Sequence, residues 1–313
     1  MKRIICLTLT LCLLMCMVFP ASAINDESLS NGENGTQLYE PISSMDLSTG
    51  IETHSVFSMA SERSGTFGSN GAVSEGWFPD SLQQTYSGST GGGAPTDNII
   101  GTDGRTLVSS TTSIPYSAIC YMEIKWKDNT TSYGTAWMIY SDIAITAGHC
   151  VYDSNHGGWA KQIKIWPGKD GYGLWNNPFG TAEALHMHTS TYWTSSADSD
   201  HDWGLLELDD TIGDNTGWLG IGWTGYDPSG MNVTISGYPT DHQYYQYKMS
   251  GQISSGTTNR LYYTIDAVAG QSGSPIFSSG NVSYGIHCYG TSTMNSGTRI
   301  TETLFNLFKS YKD

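Results

Sequence analysis

The chain has 313 residues, 14 basic against 29 acidic side chains, and a net charge of −15 at pH 7. An acid excess of this size argues against a nucleic-acid partner, because a phosphate backbone needs a basic footprint, yet it selects no particular protein substrate. The acidity is uneven: residues 24–97 hold ten acidic residues and one basic residue, Arg63, whereas residues 98–313 hold 19 against 11.

In chain order, Lys2 and Arg3 precede an apolar run from Ile4 to Phe19, and Ala21-Ser22-Ala23 follows. These are the n-region, h-region and small-residue cleavage site of a signal peptide, so residues 1–23 are expected to be removed on export. The run is short for a membrane span and no other long apolar segment exists, which predicts a secreted, extracellular protein with no membrane anchor. Met15 stands where a lipobox before Cys16 wants a small residue, which argues against a lipoprotein.

Residues 24–97 are poor in core-forming side chains and end in Ser87-Gly88-Ser89-Thr90-Gly91-Gly92-Gly93. Such a stretch reads as a propeptide with a flexible, cleavable end, the alternative being a plain disordered linker. From Asn98 onward, β-branched and aromatic runs such as Ser117–Trp126, Val233–Ser236 and Leu261–Ile265 alternate with Gly, Asn, Asp and Pro turns. The 216 residues from Asn98 suffice for two small antiparallel barrels with a cleft between them. One helix stands out. Glu302–Tyr311 carries Leu304, Leu307 and Phe308 at helical spacing, which predicts an amphipathic C-terminal helix docked on the second barrel.

Three stretches carry chemistry. Thr146-Ala147-Gly148-His149-Cys150 follows a buried strand from Ile143 to Ala147, Asp202-Trp203-Gly204 leads into a strand over Gly204–Leu208, and Gly270-Gln271-Ser272-Gly273-Ser274-Pro275 centres on a serine. A serine hydroxyl is a poor nucleophile at neutral pH; it needs a base in hydrogen-bonding reach and a third group that fixes the tautomer of that base. Ser272, His149 and Asp202 suit those roles, and the backbone N–H groups of Gly270 and Ser272 are candidates for an oxyanion hole. Asp202 is preferred to Asp200 because it directly precedes the apolar run Trp203–Leu206. Ser274 stands where the Gly-x-Ser-x-Gly elbow of the α/β-hydrolases requires its second glycine, so that fold is not matched. His186-x-His188 and the group Asp198, Asp200, His201 lack a recognised metal-ligand spacing and read as polar surface, so neither a metal nor a cofactor is expected.

From Asn98 to the C-terminus the chain resembles the bacterial glutamyl endopeptidases, the Bacillus-type and V8-like members of the chymotrypsin-fold serine proteases. Besides the His, Asp, Ser order, the resemblance rests on Asn98-Ile99-Ile100-Gly101 through Arg105, on Trp137-Met138-Ile139, on Ile235-Ser236-Gly237-Tyr238-Pro239 and on Gly297-Thr298-Arg299-Ile300-Thr301. It implies an all-β fold of two six-stranded antiparallel barrels with a C-terminal α-helix. Gly285-Ile286-His287 resembles the strand lining the primary specificity pocket, so the resemblance gives His287 contact with the substrate carboxylate. It likewise implies that the freed amine of Asn98 helps to hold that carboxylate after removal of a propeptide ending at Asp97.

Two departures are visible. Ala267 stands where the family usually places a threonine that hydrogen-bonds the substrate carboxylate, and Asp266 stands where a trypsin-like enzyme places its carboxylate for basic side chains, as Bacillus-type members also do. Gly134 stands where the family has the cysteine that pairs with the one after the catalytic histidine, leaving Cys120, Cys150 and Cys288. A Cys120 bridge or three free thiols are both open. The reading is a signal peptide (1–23), a propeptide (24–97) and a monomeric protease domain (98–313) cutting protein or peptide substrates after Glu and less readily after Asp. Its rivals are a related protease of basic or other specificity, and a catalytically silent binding protein on the same fold.

Overall fold

The computed structural model describes residues 39–59, 71–82 and 99–312. The leader, the Gly/Ser-rich stretch, Asp97 and Asn98 lie outside the described residues. Ahead of the barrels come the hairpin β1 (Tyr39–Asp46) and β2 (Ile51–Ser58), then β3 (Gly71–Val73) and β4 (Thr106–Leu107).

The first barrel is built from β5 (Ile119–Lys125), β6 (Thr131–Met138) and β7 (Ile143–Thr146). After a small hairpin of β8 (Tyr152–Asp153) and β9 (Gly158–Trp159), it continues through β10 (Gln162–Pro167) and β11 (Ala182–Ser190). The short helix α1 (Thr191–Ser196) follows, then β12 (Gly204–Leu208). Strand order β10-β5-β6-β7-β12-β11 closes on itself through a β10–β11 pairing, giving six antiparallel strands and no open edge within the ring. Met122, Ile124, Ile163, Ile165, Met187 and Leu206, which share one face of the paired strands, fill it, each at most 1% exposed.

The second barrel follows helix α2 (Gly213–Thr216) and strand β13 (Gly220–Thr224). Its strands are β14 (Asn232–Gly237), β15 (Tyr247–Gly256), β16 (Arg260–Tyr263), β17 (Pro275–Phe277), β18 (Val282–Gly290) and β19 (Asn295–Arg299). Order β17-β14-β15-β16-β19-β18 closes through β17–β18. Val233, Ile235, Ile253, Leu261, Tyr263, Ile265 and Ile276 form a core of their own. At roughly 1.5–3 kcal/mol for each buried large side chain, a cluster of this size sustains a small barrel.

Helix α3 (Glu302–Lys309) starts where the Thr301 hydroxyl accepts the Leu304 N–H. It reaches further than the sequence expectation, because β13, which it packs against, is paired with β18 of the second barrel, while its other contacts lie on the first. It packs against β13 and β1, Phe308 meets the Trp203 ring edge-on at 5.7 Å, and the Tyr311 ring lies 4.8 Å from His188 of β11. Its apolar stripe matches the first barrel because Trp203 offers a large buried ring there.

Within residues 24–97, residues 39–59 and 71–82 are also more structured than their composition suggests. Strand β1 pairs with β11 over five residues, Ile42 and Met45 enter the first barrel's core cluster, and Glu40 and Ser43 are buried. Farther on, β3 pairs with β13, and the Trp77 ring lies against Trp218 at 4.7 Å. Composition missed these strands because they bind through backbone ladders and hydroxyl, imidazole and carboxylate contacts, with few aliphatic residues.

Candidate active site

His149 lies in a single 3₁₀ turn, Gly148–Cys150, at the end of β7, and Asp202 immediately precedes β12. The two strands are paired, Thr146 opposite Gly204, so the barrel's own ladder sets the two side chains together. The Asp202 carboxylate receives the His149 backbone N–H on Oδ1 at 2.8 Å and faces His149 Nδ1 across 2.7 Å on Oδ2. Gly148 permits this approach, since a Cβ there would come within 2.9 Å of Asp202 Oδ1.

Asp202 has no exposed surface. Burial would push its carboxyl upward, but the adjacent imidazole and hydrogen bonds from His149 and Tyr289 hold it below the ordinary carboxylate value. For His149 burial opposes the charge, and the Asp202 carboxylate outweighs it and raises the imidazole well above its usual value. The imidazole side chain remains about a quarter exposed (26%), open to the cleft. Behind the pair, the backbone carbonyl of Asp202 accepts hydrogen bonds from Thr298 Oγ1 (2.8 Å) and Cys288 Sγ (3.3 Å), which tie it to β18 and β19 of the second barrel.

Ser272 sits in a loop just before β17. Its carbonyl accepts the Thr135 N–H of β6 at 2.9 Å and faces Cys150 Sγ at 4.0 Å, so the serine lies beside the turn that carries His149. The preceding peptides are pinned in turn. The Ala269 carbonyl accepts the Thr240 N–H (2.8 Å) and the Gln271 carbonyl accepts the Ser274 N–H (3.0 Å). In a trans peptide the N–H opposes the C=O, so these bonds aim the N–H groups of Gly270 and Ser272 away from the loop's supports. Neither has a protein acceptor among the described residues, while the N–H groups of Gln271 and Gly273 are both spent. Gly270, at φ +90°, is required: a Cβ would meet the Tyr238 carbonyl oxygen at 2.5 Å.

His287 is 3% exposed on β18 and stands next to this loop, its carbonyl accepting the Gly273 N–H (2.7 Å) and its N–H donating to the Ser274 carbonyl (2.8 Å). Its Nδ1 is 2.7 Å from the Tyr263 hydroxyl. Burial, reinforced by the nearby His149, pushes the imidazole down to about 3, so it is neutral at working pH. Ala267 is fully buried and offers no hydroxyl. Asp266 is 2% exposed, and its oxygens accept the backbone N–H groups of Ile100 (2.7 Å) and Gly104 (2.8 Å). Asn98, two residues earlier, is outside the described residues.

The three cysteines are free and buried, which removes the Cys120 bridge. Gly134 does lie beside Cys150, its Cβ position 3.2 Å from Cys150 Sγ, so the missing family bridge is a matter of residue type and not of geometry. Sequence reasoning missed Tyr289. Its hydroxyl reaches Asp202 and its ring centroid lies 5.8 Å from that of His149, yet nothing marks a tyrosine after a Gly-Ile-His-Cys stretch as a site residue.

The sequence model of the trypsin family matches residues 107–312. The chain belongs to the trypsin family of serine endopeptidases. A glutamyl endopeptidase of Bacillus licheniformis is 36% identical over 230 residues, 69% of each chain. An extracellular metalloprotease of Bacillus subtilis (strain 168) is 37% identical over 216 residues, covering 67% of this chain and 68% of that protein. The second name implies a metal, but among the described residues no three His, Cys, Asp or Glu side chains converge to hold one, so the residues present do not fit it. A solved Glu endopeptidase in complex with MPD superposes with a TM-score of 0.62 at 30% identity, covering 68% of this chain and 98% of that one. The fold is thus the V8-like form of the two-barrel serine proteases.

Proposed function

We propose that this serine endopeptidase is exported, is activated by a chain cut that separates residues 24–97 from Asn98, and cuts as a monomer after Glu and less readily after Asp. Ser272 attacks the scissile carbonyl while His149 Nε2 takes its proton; Asp202 holds the tautomer and offsets the imidazolium charge. The N–H groups of Gly270 and Ser272 receive the oxyanion, and His149 returns the proton to the leaving amine.

The specificity reading rests on one observation, the buried His287 beside the nucleophile loop with Tyr263 on its Nδ1. A Tyr263 hydroxyl donating to Nδ1 leaves the proton on Nε2, which is then available to a substrate carboxylate. The incoming carboxylate supplies the counter-charge that favours proton uptake, giving a charge-assisted bond that Gln cannot match. A basic pocket built on Asp266 is disfavoured, because both its oxygens are engaged by Ile100 and Gly104. The names of the relatives, a glutamyl endopeptidase and a Glu endopeptidase, point the same way.

The test is kcat/KM for matched peptides carrying Glu, Gln, Asp, Arg or Lys before the bond. Glu is expected to exceed Gln by roughly ten- to a hundredfold, about 1.5–3 kcal/mol, and His287→Ala to erase most of that ratio while Ser272 still reacts with a fluorophosphonate. Preference for Arg or Lys overturns the glutamyl reading, and failure of the label to react points to a silent binding protein.

A further inference from the structure

Four of the chain's eight histidines, His54, His186, His188 and His201, gather where the β1–β2 hairpin meets the first barrel. The innermost contact is Glu40, 4% exposed, whose Oε1 accepts the Trp203 indole N–H at 2.9 Å and faces His201 Nδ1 at 3.3 Å. Those two residues flank Asp202 in the chain. Next along β1, the Ser43 hydroxyl meets Thr191 and Thr194 of α1 at 3.0 and 3.1 Å, and the ring of Trp193 in the same helix lies 6.2 Å from His149. The hairpin therefore braces the segment that carries Asp202 without entering the cleft. A second attachment, β3 on β13 with Trp77 on Trp218, holds residues 71–82.

We propose that, once the chain is cut ahead of Asn98, residues 39–82 stay on the catalytic domain as a second, non-covalently held polypeptide at mildly acidic pH and leave as the pH rises, the Glu40–His201 contact being the sensitive one. This rests on the reading that the protease domain begins near Asn98.

The physical reason is the buried carboxylate. With His201 protonated, Glu40 has an ion pair and an indole donor; with His201 neutral, a buried charge keeps only neutral partners. Asp198 and Asp200 also face His201, as does the Tyr192 ring at 4.6 Å. Burial lowers the proton affinity of His201, but Glu40 and these aspartates outweigh it and raise it overall. A histidine raised in the docked state stabilises docking below its free value, and that gain is lost as the pH climbs through the docked value.

Other charged groups line the same junction. His188 bonds Ser44 (2.7 Å) and Glu207 (2.7 Å), with the Tyr311 ring beside it. His186 lies 4.0 Å from Asp46 and 3.8 Å from Glu207, both distances long for a hydrogen bond. His54 faces Glu52 at 3.9 Å within the hairpin itself.

The test uses the full chain carrying Ser272→Ala, with the recognition sequence of a site-specific protease replacing residues 87–93, so that neither self-processing nor Glu specificity is involved. After cutting, size-exclusion chromatography with mass spectrometry reads which fragments co-elute at pH 5.5 and pH 8.5. Co-elution at pH 5.5 with loss of co-elution at pH 8.5 supports the proposal, because docking that strengthens proton binding at His201 must itself weaken once that proton is gone. Glu40→Gln, and independently His201→Asn, should weaken retention at pH 5.5 and flatten the pH dependence, while Glu52→Gln should not. A fragment lost at both pH values, or held equally at both, overturns it. N-terminal sequencing of the native active enzyme separately tests the reading beneath it.

Discussion

A fully buried carboxylate survives in a protein only when each of its oxygens has a donor, and Asp202 meets that condition through one imidazole, one backbone N–H and one tyrosine hydroxyl. Its neighbour can then remain open to the cleft while being held in one orientation. Ser272→Ala, His149→Ala and Asp202→Asn should therefore each lower kcat by about 10⁴-fold or more, since the three act as one unit and the amide of Asn would favour the wrong imidazole tautomer. Near-normal turnover by purified Ser272→Ala protein would remove the assignment. The sequence pointed to these residues through the co-occurrence of three contexts in one order, since each alone fits a turn serine, a packed histidine or an acidic loop equally well. Tyr289 was not legible, because a tyrosine is compatible with core, surface or site, and its contact with Asp202 follows a register shift of β18 against β19 that no sequence pattern announces.

At the scale of elements, alternation and turn chemistry were enough to place β5, β7, β12, β14 and β16 within a residue or two, and α3 was legible from its apolar spacing. Its contacts with Trp203 and His188 of the first barrel were not, because periodicity tells which face is buried and not what it is buried against. The hairpin was missed for a related reason: besides Ile42 and Met45 it is held through Glu40, Ser43 and Ser44, polar groups whose partners lie more than 140 residues away. Asp266 presents the reverse case, a residue seen in the sequence whose use became definite only in three dimensions. It fastens the Ile100–Gly104 segment to the second barrel, with Arg105 close behind, buried between Asp103 (2.8 Å) and Asp241 (2.6 Å). Asp266→Asn keeps the shape, but its amide nitrogen cannot accept, so one of the two backbone N–H bonds is lost and the other loses its charge; a loss of about 1–3 kcal/mol is expected. The measurement is urea unfolding alongside the peptide profile: a lower midpoint with Glu preference intact agrees with an anchoring role, whereas loss of an Arg or Lys preference would mean that Asp266 reads the substrate.

The whole molecule joins two closed barrels through a few shared contacts at the cleft, and both are touched by residues that precede them in the chain. Asp202 is bound to the second barrel through its carbonyl, Ser272 to the first through its own, so catalytic geometry is a property of the pairing and of neither barrel alone. The Ile100–Gly104 segment, which the proposed cut would leave at the start of the protease domain, enters this arrangement at the Asp266 carboxylate, in the residue next to Ala267, which lacks the hydroxyl expected for substrate. A free amine at Asn98 would stand two residues from Ile100, within reach of the same region. Exposing it would add positive charge where a substrate carboxylate is to be received, while an intact peptide bond at that point supplies none. The expected outcome is that the active secreted enzyme begins at or within a few residues of Asn98, and that Ser272-intact precursor blocked from processing by mutation around Asp97 has kcat/KM for Glu peptides reduced at least about tenfold, the cost of roughly one charge-assisted bond. N-terminal sequencing and paired kinetics decide it: an active form starting within residues 24–80, or a blocked precursor with full Glu activity, would show that the chain cut is not what completes the pocket.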